Sequence, residues 1–448
     1  MKNKLIYIYI FSLIGITSCE KNLEINPTQS IDEINALSTS SAVLNALNGA
    51  YANLGSTAFY GGEVLLYSEL LGDAGEVKFT GTFQGLTQIY NKAIPKNNVF
   101  VRDNWLQGYR VINDINNVLS AIDKVDASAK DRAEGEAKFI RGSVYFELVR
   151  YYGKAWNDGN PASNLGVPIV LTPTRGITSE NSVSRNKVSE VYDQVIKDLT
   201  EAEAKLPVSN GNYATKNAAA AMLARVHLQK GDYANAAQAA TRVISSGRQS
   251  LATTFAGVFP FSSSAAVPNT VEDIFAMQVS LTQGTNGLFT YYSPNSRGDI
   301  NINATHLALY ETGDARRAFF VTSGGSTFTS RHNTRYANVR IIRLAEMYLI
   351  RAESNFRLGT TTGDSPLNDI NRIRTRAGLP SLTAATLNLS AILKERKLEL
   401  AFEGHLLHDI KRLQGNVGLI PWNSCKLVLP IPERERIVNP NLLDECYP

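Results

Sequence analysis

The stretch from Ala218 to Ile244 most narrows the folds open to this chain. Ala218 to Lys230 reads as one helix, Gly231-Asp232 as a tight turn, and Tyr233 to Ile244 as a second helix. On that second helix Tyr233, Ala236, Ala237, Ala240, Val243 and Ile244 fall on one face at helical spacing. Alanine at so many facing positions lets two helices approach closely. A single hairpin of this kind cannot bury its apolar face alone, so further pairs are expected to stack on it.

Further pairs are present. Helices are predicted over 40–54, 105–122, 134–152 and 189–206, the last stopped by Pro207. Residues 341–358, then Gly359, then 367–376 repeat the helix–glycine–helix pattern of the first hairpin. The fold class read from these patterns is mainly α, with tetratricopeptide-like helical hairpins. Between the helices lie segments without a clear period, 55–99, 157–185 and 247–337, rich in Gly, Ser, Thr, Asn and aromatics. Unstructured loops of that length are uncommon in a compact domain and usually carry function, so a loop-rich ligand-binding side is expected.

The N-terminus carries a different signal. Lys2 and Lys4 precede an apolar run of 12 residues, Leu5 to Ile16, and then Thr17-Ser18-Cys19. That layout is a secretory leader, too short to remain as a membrane span. Ile16-Thr17-Ser18-Cys19 looks like a bacterial lipobox, so residues 1–18 are expected to be removed and Cys19 to carry lipid. Residues 19–37 then read as a polar tether, and 38–448 as one domain, with an N-terminal part of about 38–246 and a C-terminal part of about 270–448.

Outside the cytoplasm Cys425 and Cys446, 21 residues apart, are free to form a disulfide or to stay as two buried thiols. Formal net charge is +4, or +2 once Lys2 and Lys4 leave with the leader. No dense Lys/Arg run offsets that near-neutral balance, so nucleic acid is not an expected partner.

Ordered blocks along the whole chain resemble the SusD/RagB family of Bacteroidetes. They are 19–27 (CEKNLEINP), 105–113 (WLQGYRVIN), 137–142 (AKFIRG), 145–153 (YFELVRYYG) and 166–172 (GVPIVLT). Later come 342–353 (IRLAEMYLIRAE), 395–405 (ERKLELAFEGH), 429–432 (LPIP) and Asn439-Pro440. Any one block is weak, but the ordered set is specific. The resemblance implies an α-helical frame with a loop-rich part that holds ligand. It implies a lipid-anchored protein on the outer membrane, partner of a TonB-dependent transporter of the SusC type, that captures nutrients without turning them over. The nutrient is usually a glycan; the RagB side of the family suggests oligopeptide instead. A helical-repeat scaffold for envelope assembly is a further alternative, against which the long aromatic loops speak.

Sugar rings stack their C–H faces on aromatics while their hydroxyls bond to amides and charges. The residues that fit are Phe79, Phe83, Tyr90 and Asn91 in the first long segment, and Tyr291, Tyr292, Asn295, Arg297 and Asp299 in the third. Tyr291-Tyr292 is the preferred pair, because neighbours in an extended loop point opposite ways, one into the core and one out.

Two clusters invite a catalytic or metal reading. Glu395, Glu399 and Glu403, at i, i+4 and i+8, would put three repelling carboxylates on one helix face. They suit a metal or acid/base site, or ion pairing to arginines such as Arg343 or Arg351, which is the expected outcome. His405, His408 and Asp409 lack the usual zinc spacing, and the family block usually has an aromatic where His408 stands. No phosphate-cradling glycine loop and no nucleophile elbow is present. No metal, cofactor or enzyme activity is expected.

Overall fold

The computed structural model describes residues 36–176, 181–282 and 286–447. The leader, Cys19 and the tether up to Asn35 lie outside the described residues.

In chain order the main elements are α1 (Ser40–Leu54), α2 (Glu63–Gly72), β1 (Val77–Phe79), α3 (Gln84–Tyr90), α4 (Val99–Ser120), α5 (Ala127–Tyr152), α6 (Val188–Lys205), α7 (Lys216–Lys230) and α8 (Tyr233–Ser245). Then come β2 (Asp273–Met277), α9 (Gly287–Tyr292), β3 (Ile300–Ile302), β4 (Phe320–Ser323), β5 (Ser326–Thr329) and β6 (Val339–Arg343). The chain closes with α10 (Leu344–Leu358), α11 (Pro366–Arg376), α12 (Leu389–Glu399), α13 (Leu406–Arg412) and α14 (Glu433–Val438).

The hairpin α7–α8 forms as its sequence directs. Thr215 caps α7 by accepting from the Ala218 N–H, Gly231 ends it at φ 72°, and Asp232 caps α8 by accepting from Asn235. Ala218 to Ala221 on α7 and Ala236, Ala237, Ala239 and Ala240 on α8 are buried. The second hairpin repeats this grammar: Gly359 stops α10, Ser365 caps α11, and Pro366 opens it.

The helices stack in series. α1 packs on α4, α4 on α5, α5 on α6, α6 on α7 and α7 on α8. The stack then skips about a hundred residues, and α8 packs on α10, which packs on α11 and α12. Bidentate ion pairs set the register between layers: Arg141 to Asp198 at 2.8 Å, Arg225 to Glu346 at 2.6 and 2.8 Å, and Arg351 to Asp369 at 2.7 and 2.8 Å. All six side chains are buried, so removal of one partner strands a charge at a cost of about 3–5 kcal/mol.

Three sequence expectations are corrected. Residues 341–358 are not one helix. Val339–Arg343 is a buried strand antiparallel to β2, with Met277 opposite Val339, and α10 begins at Leu344. The β-branched Val339, Ile341 and Ile342 suit that pleated site. The segment 55–99 is not irregular: it holds α2, β1 and α3. Every residue of α2 is buried, so it has no polar face and no helical period to read. Within 247–337 lie β2 to β5 and α9, each too short to leave a pattern.

Candidate functional site

Short strands bring the two aromatic segments together. β1 pairs antiparallel with β3, Phe79 opposite Ile300 and Val77 opposite Ile302, and the Thr80 N–H donates to the Asp299 carbonyl at 2.7 Å. This places the 80–83 turn beside the 293–299 turn. Arg297 spans the gap. Its Nε donates to Asp299 Oδ2 at 2.7 Å, an N–H donates to Thr82 Oγ1 at 3.0 Å, and its guanidinium carbon sits 4.1 Å from the centre of the Phe83 ring. Phe83 is 38% exposed and meets Phe100 and Tyr291 edge-on at 5.6 and 6.4 Å. The result is a surface platform with an aromatic edge and a positioned cation.

A carboxyl lies beneath it. Tyr291 donates its hydroxyl to Glu63 Oε1 at 3.0 Å, and Tyr67 donates to Oε2 at 3.1 Å. Burial pushes the Glu63 carboxyl up to about 7, against the opposing pull of the two tyrosine hydroxyls.

Tyr291-Tyr292 is not an extended pair. Asn286 caps α9 through its side chain, so both tyrosines are helical, and both are buried. Tyr291 supports Phe83 from below. Tyr292 packs on His332 and Phe402 at ring distances of 5.2 and 5.6 Å, which makes it core. Phe79 is also buried, Tyr90 is half-buried with its hydroxyl donating to the Val77 carbonyl, and Asp299 is buried under Arg297. Asn91 is exposed at the end of α3. Of the nine side chains, Phe83, Asn91, Asn295 and Arg297 face solvent.

On the other side of the 293–299 turn a polar cleft of about 650 Å³ opens, lined by Asn295, Asn333, Arg335, Ser262 and Phe261. Asn295 donates from Nδ2 to Asn333 Oδ1 at 3.1 Å, and Phe261 is 65% exposed. Aromatic faces therefore stand on both sides of one turn, with amides and guanidinium groups between them. Phe261, Asn333, Arg335 and Thr82 escaped sequence reading because no local pattern ties them to Phe83 or Arg297.

A second cleft of about 680 Å³ lies between α12 and α13. Leu389, Leu393, Leu398, Leu406, Leu413 and Phe402 make its apolar walls, and its charged lining is paired internally, Lys397 with Glu76 and both Arg396 and Arg412 with Asp409. Among the described residues no amide side chain, Tyr or Trp lines it, which sets it apart from the amide-bearing, aromatic surface around the 293–299 turn.

The carboxylates are structural. α12 ends at Glu399, and Phe402 (φ 65°) and Gly404 (φ 85°) turn the chain, so Glu403 leaves the helix. A Cβ on Gly404 would come within 2.8 Å of the Leu65 side chain. Arg316 donates to Glu395 at 2.6 Å, Arg343 donates to Glu399 at 2.6 Å and to Glu403 at 2.7 Å, and Arg376 pairs with Glu399 and Glu272. Burial pushes Glu399 up, but Arg376, Arg343 and Arg316 outweigh it and hold its carboxyl well below the usual range. Arg343 is a partner as expected. Arg351 is not; it pairs with Asp369.

The histidines are buried in the same region. Burial holds His405 and His408 well below the ordinary imidazole value. The His408 ring packs edge-on to Tyr151 at 4.8 Å. Among the described residues no group of three His, Cys, Asp or Glu side chains is placed to hold a metal. Cys425 and Cys446 are bonded in the structure, with Cα atoms 5.0 Å apart.

Comparison with known proteins identifies the family and the fold. Residues 145–420 match the family described as "SusD family", and residues 23–228 match one described as "Starch-binding associating with outer membrane". A SusD-like protein P2 of Formosa agariphila is 26% identical, with 97% of each chain covered. A putative sugar binding protein of Bacteroides vulgatus superposes with a TM-score of 0.81 at 26% identity, over 92% of this chain and 99% of that one. The surface glycan-binding protein A of Bacteroides uniformis shares the fold, with a TM-score of 0.76 at 20% identity over 92% and 100% of the two chains.

Proposed function

This chain belongs to the SusD family, and we propose that it is a cell-surface lipoprotein of the outer membrane that captures an oligosaccharide and hands it to a SusC-type TonB-dependent transporter. The observation that carries the reading is the placement of Arg297 over Phe83, with Asn295 on the same turn facing a polar, aromatic-lined cleft. Aromatic edge, guanidinium and amide within one exposed surface match the alternating apolar and hydroxyl faces of a sugar chain. The names of the Bacteroides vulgatus and Bacteroides uniformis relatives point the same way.

The protein binds without turnover in this reading. Glu395 and Glu399 are occupied by arginines away from the platform, Asp299 is paired with Arg297, and Glu63 beneath the platform is buried and bonded to two tyrosines, so no pair of free carboxyls flanks a sugar bound there. Lipid on Cys19 supplies the anchor, and residues 20–37 supply the reach.

Calorimetric titration of the purified protein against an oligosaccharide panel tests the proposal. Measurable affinity for at least one glycan, weakened in Phe83→Ala and in Arg297→Ala, is expected. Binding to peptides and to no glycan would move the substrate class to oligopeptide. Co-purification of a β-barrel transporter from the native membrane tests the partner, and its absence would remove that part.

A further inference from the structure

Helix α13 turns two titratable side chains inward where the C-terminal helices meet α5 and α7. Lys411 is 4% exposed, and its Nζ has no hydrogen-bond partner among the described residues. His408, one turn earlier, is 3% exposed, and its Nε2 has none either. Both line a small cavity of about 20 Å³, together with Arg150 of α5, Gln229 of α7, Tyr192 of α6 and Asn157. Arg150 pairs with Glu147 through its terminal nitrogen, while its Nε is a third buried donor without a partner, and Asn157 Oδ1 is a buried acceptor without one.

The charges around this cavity do not balance. No Asp or Glu side chain lines it. Arg412 is fully engaged by Glu353 at 2.6 and 2.8 Å and by Asp409 at 2.7 Å, and Lys154 reaches Glu445 at 3.8 Å. Lys411 is the cation left over. A buried ammonium with no carboxylate in hydrogen-bond contact is costly, and Asp158 acts on it only at longer range, so the site favours whatever neutralises it. Burial pushes the Lys411 amine down to about 8, with Asp158 pulling weakly the other way. His408 stays neutral, because burial and then Arg150 and Lys411 oppose its protonation, so it adds a donor or an acceptor and no charge.

Size narrows the ligand. A cavity of roughly 10–15 Å³ holds one water, so this one admits a single particle about the size of a water molecule and excludes phosphate or a carboxylate. We propose that the cavity is a binding site for one halide ion, held by Lys411 Nζ, Arg150 Nε–H and His408 Nε2–H, which ties α13 to α5 and α7. Asn157 fixes the end of the same helix by donating to the Lys411 and Arg412 carbonyls at 3.3 and 3.1 Å.

Two measurements decide it. Crystals grown in a bromide salt should show an anomalous peak in the cavity beside Lys411 Nζ; anomalous maps without that peak would overturn the site. Thermal melts in chloride against gluconate at matched ionic strength should show Tm rising by about 2 °C per tenfold increase in halide above its Kd. Lys411→Met should lose that dependence, and a Met variant that keeps it would overturn the role of Lys411. If that variant does not fold, the bromide map on the unaltered protein decides alone, and one bridging water with a halide-independent Tm would refute the proposal.

Discussion

The guanidinium of Arg297 lies 4.1 Å from the centre of the Phe83 ring, although the two residues come from opposite halves of the chain. Asp299 holds the guanidinium by one edge and Thr82 by the other, so its plane is fixed before any ligand arrives. Such preorganisation spares a ligand the entropic cost of ordering the side chain.

Phe83→Ala is expected to weaken glycan binding about tenfold, on the order of 1 kcal/mol, with little change in Tm, because Phe83 is partly exposed. Tyr292→Ala is expected to do the reverse in kind, destabilising the fold by about 3–5 kcal/mol through a core cavity. Calorimetry and chemical denaturation, run on both variants, check the contrast.

Glu63 makes stability depend on pH. Its folded carboxyl is raised from 4.5 to about 7, so the folded state binds its proton more tightly than the unfolded chain does. Its stabilising contribution is complete below about pH 4.5 and is lost as pH rises through about 7. Glu63→Gln should flatten that fall by on the order of 2–3 kcal/mol and be the more stable protein at pH 8. Glu69, raised to about 7 by its own burial, keeps its share of the slope in both proteins. Denaturation midpoints across this pH range give the comparison.

Glu399 anchors the buried arginines. Glu399→Gln leaves Arg343 and Arg376 short of a carboxylate and should cost about 3–5 kcal/mol, measured by urea unfolding. Glycan affinity of the surviving folded fraction should be unchanged, since α12 does not reach the platform.

Replacing both Cys425 and Cys446 with Ser should lower stability by about 3 kcal/mol, because the bridge closes a loop of 21 residues in the unfolded chain. Titration with the glycan should still give wild-type affinity.

Cys19→Ala should release the protein from the membrane while leaving glycan binding intact. Fractionation of cells that lack the transporter is the check, and persistent membrane attachment there would count against lipid on Cys19.

The helical frame was legible because its signals are local. Gly231 and Gly359 each end a helix in the left-handed region, and Asp232 and Ser365 cap the next one through bonds three residues long. α2 was illegible for the converse reason: a helix buried on all sides carries no polar stripe. Tyr291-Tyr292 misled because capping by Asn286 made a helical turn where an extended loop was expected, which turned both rings inward. The acidic cluster read correctly as an ion-paired one, and Arg343 was the right partner. Arg316 and Arg376 come from other segments, and no spacing points to them.

The sequence by itself determined the hairpins, their turns and the family blocks, since each depends on residues within a few positions of one another. The order of packing across the long insertion, α8 on α10, is set by buried contacts between distant segments. So are the platform and the cavity at Lys411. The pairing of Phe79 with Ile300 decides that Phe83 meets Arg297, and the docking of α13 against α2, α5 and α7 decides that Lys411 is buried with no carboxylate bonded to it. Both depend on which surfaces exclude water together, which only the folded chain specifies.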